Sequence, residues 1–349
     1  MMERMVPIKI GIFLIVFTII IGGVFVLFKG GSQRKEINHI SPGKIAIIEY
    51  LPFLGATTGG FKKGLDDLGY REGINVVFEV KSANFIIEKL DAIATDLVDK
   101  NPDLIFANTG EAALAALNAI RRAGKNHIPI VYANTFDPIG LGLAQSFKSP
   151  GNNATGVIND LPLLQGKRLE FMTRINPGIK KVGIVFSRVG DPFQDASLAA
   201  MRESAASFGL VLKEYKIKGA PGSPAIEEAR VMLGAIKPGE IDALVRIGGP
   251  LTGIPEIVNT LAETAKRLGI VSNSSDPKQG FIMEYSDDLF DRGYQAAQQA
   301  GKVLRGTNPS DIPLEYGRKY TLVINLKLAR ELGIAVPDSL LQIADTVYE

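Results

Sequence analysis

The chain has no cysteine, no tryptophan and only two histidines, His39 and His127, in 349 residues. Without cysteine there is no disulfide, no thiolate nucleophile, no cysteine-ligated zinc and no acylated N-terminal cysteine. Two histidines do not make a multi-histidine metal site, and no metal or cofactor is expected. Charge of one sign is scarce as well. The 39 basic residues nearly balance 37 acidic ones, for a net charge of +2, which gives no support to nucleic-acid binding. Enzyme signatures are missing: there is no G-x-x-x-x-G-K-[ST], H-E-x-x-H or G-x-S-x-G. GGPLTG (Gly248–Gly253) lacks the G-x-G-x-x-G spacing, and no motif sets either histidine beside a serine and an aspartate. The expectation is a protein that is not an enzyme.

What is present is an ordinary globular body, 46% hydrophobic and 22% charged, and longer than one core usually holds, so two lobes are the prior. It is preceded by Ile10 to Phe28, a run free of charge with Arg4 and Lys9 before it and Lys29, Arg34 and Lys35 after it. As a helix the run spans about 28 Å, close to a bilayer core. No A-x-A cleavage site follows, which favours an uncleaved membrane anchor over a cleaved signal peptide. Basic residues at both ends leave the orientation open.

From Lys44 the pattern alternates strand, loop and helix. KIAIIEY, INVVFEV, DLIFAN and IPIVYANTFDP are strands, and amphipathic segments such as Ile86 to Asp99 lie between them. Thr109 is an expected helix N-cap and Gly124 the end of that helix. The order then recurs from Lys180: KKVGIVF, LVLKEYKI, DALVRI and GIVSNSSDP. Lys44 and Lys181, Asp103 and Asp242, and Asp137 and Asp276 repeat at a nearly constant offset. The fold class predicted is therefore α/β, with two doubly wound parallel-sheet lobes joined by a hinge of several crossovers. Residues 1–42 form the anchor and linker, 43–157 with 286–310 one lobe, and 158–285 with 311–349 the other. SPGNNATGVINDLP (Ser149 to Pro162) reads as a crossing segment, LEYGRKYTLVINL as one strand-like run, and DSLLQIADTVY as a last helix.

Open α/β sheets bind ligands beyond the carboxyl ends of their strands. The candidate binding residues there are Tyr50, Phe53, Asn108, Thr109, Glu111, Thr135 and Asp137 in the first half. The second half offers Ser187, Asp191, Ser274, Ser275 and Asp276. Helix N-termini and hydroxyls suit a carboxylate, acidic residues an ammonium, and Tyr50, Phe53, Phe136 and Phe193 an apolar side chain. Together they suit a small zwitterion such as an amino acid. Each also has a plainer reading: Asp137-Pro138 and Asp276-Pro277 as turns, Thr109 and Asp191 as caps, Phe53 and Phe136 as packing.

GFKKGLDDLGYREGINVVFEV, NPDLIF, IPIVYANTFDPIGLGL, GNNATGV and above all LVINLKLARELGIAVPDSLLQIADTVYE make the chain resemble a known family. This is the type I periplasmic substrate-binding proteins of ABC transporters, in the branch that binds tryptophan, tyrosine or phenylalanine. The resemblance covers Lys44 to Glu349. It implies a body outside the cytoplasmic membrane on an N-terminus-in anchor. It also implies a ligand held between the lobes and handed to a permease driven by a separate ATPase, and the protein is expected to be a monomer. The positions matching the family's cleft are Asn108, Thr109, Thr135, Asp137, Ser187, Ser275 and Asp276. Two departures stand out: Glu49-Tyr50 where relatives often carry Glu-His, and Gly248-Gly249 where they often carry Asp or Asn. The alternative function is a membrane-anchored sensor domain that signals occupancy to a partner protein.

Overall fold

The computed structural model describes residues 43–159, 161–187, 192–274 and 277–349. The expected anchor, Ile10 to Phe28, lies outside the described residues, as do Asp191, Ser275 and Asp276. No helix among the described residues is long and apolar enough to cross a membrane.

The first lobe is built on strands β1 (Gly43–Glu49), β2 (Val76–Ser82), β3 (Leu104–Ala107), β4 (Ile130–Thr135) and β5 (Ala154–Ile158). Helices α1 (Gly55–Asp67), α2 (Lys89–Asp99) and α3 (Gly110–Ala123) connect them. The chain then crosses to the second lobe. There α4 (Leu161–Ile175), β6 (Lys181–Phe186), α5 (Pro192–Ser207), β7 (Val211–Lys216), α6 (Ser223–Gly234) and β8 (Ala243–Arg246) follow one another. They are followed by α7 (Pro255–Leu268), β9 (Val271–Asn273) and β10 (Met283–Asp287). A second crossing returns the chain to the first lobe for α8 (Leu289–Leu304) and β11 (Glu315–Tyr316). A third delivers β12 (Tyr320–Asn325), α9 (Leu326–Glu331), α10 (Asp338–Leu341) and β13 (Thr346–Tyr348) to the second.

The two sheets run β11-β5-β4-β3-β1-β2 and β13-β12-β10-β9-β8-β6-β7. Every pairing is parallel except that of β10 with β12. β3 and β8 are buried along their whole length, because helices cover both faces of a parallel sheet. The inferred repeat has a structural counterpart at the strand starts. Asp103 Oδ2 accepts the Lys44 amide at 2.6 Å, and Asp242 Oδ2 accepts those of Lys180 and Lys181 at 2.9 and 2.7 Å. In both lobes the aspartate before the third strand fixes the beginning of the first.

Four segments differ from the sequence reading. LPFLGATTG, which follows KIAIIEY and has the proline and glycines of a loop, is already helical, as a short 3-10 turn at Pro52–Leu54 and the start of α1. The expected crossing segment contains β5, whose residues are all buried; the Gly and Asn of the segment hid a strand that pairs with β4 on one side and β11 on the other. LEYGRKYTLVINL is two strands in different sheets, parted at Gly317, so the first sheet extends beyond residue 310 to Tyr316. The last helix stops at Leu341, and the β-branched Thr346 and Val347 pair with β12 instead.

α8 is held to α1 through glycines. A Cβ on Gly60 would collide with the Phe290 carbonyl, and one on Gly293 with that of Thr57; a Cβ on Gly64 would lie 2.6 Å from Ala297 Cβ. The helix backbones therefore touch, and α1 closes over the sheet with Phe61 stacked on Phe106 at 3.9 Å between ring centres. Because neither backbone can retreat, Gly293→Ala should destabilise the protein by about 3 kcal/mol, the upper end of the overpacking range. A urea melt in which Gly293→Ala matches the parent would show that the helices are not in backbone contact.

Candidate functional site

A cleft of about 940 Å³ opens between the carboxyl ends of the two sheets. From the first lobe it is lined by Phe53, Thr109, Glu111, Asn134, Thr135, Phe136 and Asp137, and from the second by Arg168, Phe193, Arg246, Gly248, Gly249, Ser274 and Glu284. Asp287, Asp288, Phe290 and Arg292, at the second crossing, form its floor.

The first-lobe wall is shaped by an irregularity at the end of β4. The register with β5 shifts between Ala133 and Thr135, and Asn134 adopts a left-handed φ of 54°, a conformation asparagine tolerates better than most residues. Its side chain secures the kink: Nδ2 donates to Thr57 Oγ1 and to the Asn108 carbonyl, each at 3.0 Å, and Oδ1 accepts from Arg292 Nη1 at 2.5 Å. Such a bulge re-aims the strand end, here placing Thr135, Phe136 and Asp137 on the cleft. Thr109 caps α3, accepting the Ala112 amide at 3.2 Å, and Glu111 follows in its first turn. Asp137 Oδ1 accepts the Gly140 amide at 2.7 Å, so this aspartate closes a turn as well as facing the cleft.

The second-lobe wall carries two arginines, Arg168 and Arg246, with Glu284 beside them. Arg246 is 7% exposed, with Nε donating to Ser274 Oγ at 3.0 Å and Nη1 to the Thr252 carbonyl at 3.1 Å. Burial, helped by the like charge of Arg168 and opposed by Glu284, pushes its pKa down to about 10. Burial also lowers that of Arg168, against the pull of Glu284 and Asp287. The lobes meet at the mouth. Phe136 and Phe193 pack edge-on with centres 5.9 Å apart, and a Cβ on Gly253 would lie 3.0 Å from the Phe53 ring.

At the floor, Arg292 is 2% exposed, ion-paired with Asp287 and hydrogen-bonded to Asn134. Asp288 caps α8 through Asp291 N at 3.0 Å and binds Lys319 Nζ at 2.6 Å, while its own amide donates to the Lys319 carbonyl.

Of the residues expected at the site, the structure brings Phe53, Thr109, Glu111, Thr135, Asp137 and Ser274 to the cleft. Tyr50, Asn108 and Ser187 stand behind its walls. Tyr50 is 5% exposed in the first-lobe core, and its amide donates to Asn108 Oδ1 at 2.9 Å. The buried Ser187 is engaged with Gln194, whose Oε1 accepts the Ser187 amide at 2.9 Å. These three are not among the residues that line the cleft. Sequence reasoning missed Arg168, Arg246, Glu284 and Arg292. The signal for Arg246 was present, a cation inside the otherwise apolar DALVRI; the other three needed the crossings to be known.

Gly248 and Gly249 differ in cause. A Cβ on Gly249 would strike the Gln194 amide, whereas nothing lies within 4 Å of one on Gly248. The first is a close approach; the second leaves room in the cleft.

A family model described as ABC transporter substrate binding protein matches residues 44–348. A curated relative called "Tyrosine-binding protein", from Clostridioides difficile (strain R20291), is 29% identical over 301 residues, 84% of this chain and 82% of its own. Among solved structures, a conserved domain protein from Vibrio cholerae O1 biovar El Tor superposes with a TM-score of 0.76 at 24% identity, over 88% of this chain and 100% of that one. An ABC domain in complex with L-Trp from Streptococcus pneumoniae gives 0.74 at 24% identity, with the same coverage.

Asp288 supplies a pH prediction. Its burial acts upward on the pKa, but Lys319 and the Asp291 amide outweigh it and hold the carboxyl below its usual value. The stabilisation is therefore complete above the unfolded pKa, about 3.9, and is lost as pH falls through the lower folded value. Asp288→Asn keeps the cap but removes the charge, so its deficit in urea midpoint against the parent should be largest near neutrality and shrink below about pH 4. A deficit independent of pH would assign the effect to geometry alone.

Proposed function

The chain belongs to the ABC transporter substrate binding protein family, and from that premise we propose that it captures an amino acid, aromatic by preference, for an importer. The family is one of solute-binding proteins, not enzymes. The observation that carries the ligand class is the division of charge in the cleft. Carboxylates of Glu111 and Asp137 face it from one lobe, and the guanidiniums of Arg168 and Arg246, which outnumber the one carboxylate of Glu284 beside them, from the other, as an ammonium and a carboxylate on one small molecule require. Phe53, Phe136, Phe193 and Phe290 supply the apolar lining, and a volume of about 940 Å³ lies within the usual range of ligand sites. The relative named as a tyrosine-binding protein supports an aromatic side chain, and the space beside Gly248 leaves room for one. Three crossings form the hinge about which the lobes part and close. In this reading the closed form is presented to a permease served by a separate ATPase. The body stands outside the cytoplasmic membrane, with Ile10 to Phe28 as its anchor, and acts as a monomer.

A thermal-shift screen of the protein against amino acids, sugars and nucleosides tests the ligand class. A ligand at 100 times its dissociation constant adds about 2.7 kcal/mol of stability, and L-tyrosine, L-tryptophan or L-phenylalanine should do so. Because the chain has no tryptophan, the emission of bound L-tryptophan is read without protein background. A shift with a sugar and none with any amino acid sinks the proposal. Asp137→Asn retains an acceptor for the Gly140 amide and loses only the charge; it should weaken amino-acid binding about tenfold or more while leaving the unliganded melt unchanged. Equal affinity would reduce Asp137 to a turn residue.

A further inference from the structure

Arg168 is held in the cleft wall by neutral groups. It lies on α4, the first helix after the first crossing, and reaches over β10. There Nε donates to the Tyr285 carbonyl at 2.8 Å and Nη1 to Gln165 Oε1 at 3.3 Å. Both acceptors are neutral. They fix the plane of the guanidinium without cancelling its charge, and burial already disfavours that charge. Glu284 and Asp287 pull on that charge, but each also serves another group: Glu284 accepts from Ser286 Oγ at 2.6 Å, and Asp287 is ion-paired with Arg292. Arg246 stands on the same wall and repels it. A partly desolvated, pre-oriented guanidinium beside a second cation is an arrangement that an incoming anion stabilises, and the planar fork of arginine matches a carboxylate in two hydrogen bonds.

We propose that Arg168 is the anion-reading residue of this cleft, holding the carboxylate of the bound solute at the hinge end while the ammonium turns toward Glu111 and Asp137. This rests on the reading of the site as one for amino acids and adds to it a polarity and a requirement. The solute lies carboxylate-inward against the second lobe, and a molecule with the same side chain but no carboxylate is rejected. It also gives the second lobe its own hold on the solute. Contact with Arg168 joins the first-lobe contacts only when the lobes close, so the carboxylate contributes to closure as well as to affinity.

The test is a comparison of ratios. Calorimetric titration of the full chain with L-tyrosine, L-tyrosinamide and the deaminated acid hydroxyphenylpropanoate should show the amino acid binding at least about tenfold more tightly than its amide. In Arg168→Gln that preference should fall to within about threefold, because the amide loses little that the acid still had. Arg168→Met, which keeps the aliphatic stem, gives the same reading should the glutamine variant fold poorly. A purely structural arginine, tying α4 to β10, would weaken acid and amide alike and leave the ratio intact; that result overturns the proposal. So does a parent protein that binds none of the carboxylates. If the deaminated acid binds in an Arg168-dependent way while no amino acid binds, the anion assignment stands and the amino-acid reading falls. If amino acids bind with a ratio that Arg168→Gln does not change, the reverse holds.

Discussion

The structure depends on one buried cation, Arg292. A guanidinium that is 2% exposed is tolerable only if it is paired, and breaking such a pair by removing one partner typically costs about 3–5 kcal/mol. Its partners are Asp287 at the end of β10 and Asn134 at the bulge of β4, and Gly317 packs against it, where an added Cβ would lie 3.1 Å from Arg292 Nε. These belong to the second crossing, the first-lobe wall and the third crossing. Asn134 in turn holds the Asn108 carbonyl, and Asn108 holds the Tyr50 amide. One charge thus ties the place where the lobes pivot to the loops that form a binding wall.

The same dependence explains what could be read from the residues alone. Local chemistry was legible: Thr109 as a cap, Gly124 as a left-handed terminator at φ 66°, and the paired aspartates that start the third strand of each half. Strands that exist by virtue of distant partners were not. β5 follows a run of Gly and Asn that reads as a loop, and β13 is three residues of a tail that reads as helix; both become strands because β4 and β12 offer them an edge. Half of the expected binding residues reach the cleft because strand ends point there in any such sheet. Arg168, Glu284 and Arg292 escaped because no local pattern marks a charged residue on a helix or late strand as facing inward. Their orientation follows from three crossings whose positions only the folded chain reveals.

The paired glycines at 248 and 249 carry a related lesson. As a dipeptide they look like a single substitution of a polar anchor. In the fold, Gly249 is required by the close approach of Gln194, the residue that also fixes Ser187, while Gly248 faces open space. One belongs to the scaffold and the other to the dimensions of the site, and only the second bears on the identity of the solute.

The aromatic contacts at the mouth separate two quantities that are often treated as one. Phe136 packs against Phe193 and Phe53 approaches Gly253, so parting the lobes breaks aromatic contacts between them. Where exchange requires the lobes to part, such contacts bear on its rate, whereas charges at the floor and walls bear on how strongly the occupied state is preferred. Substitutions at the lips would change the speed of exchange at similar occupancy, and substitutions at the floor would change occupancy. In a substrate-binding protein that division lets tight holding and prompt release be set by different residues.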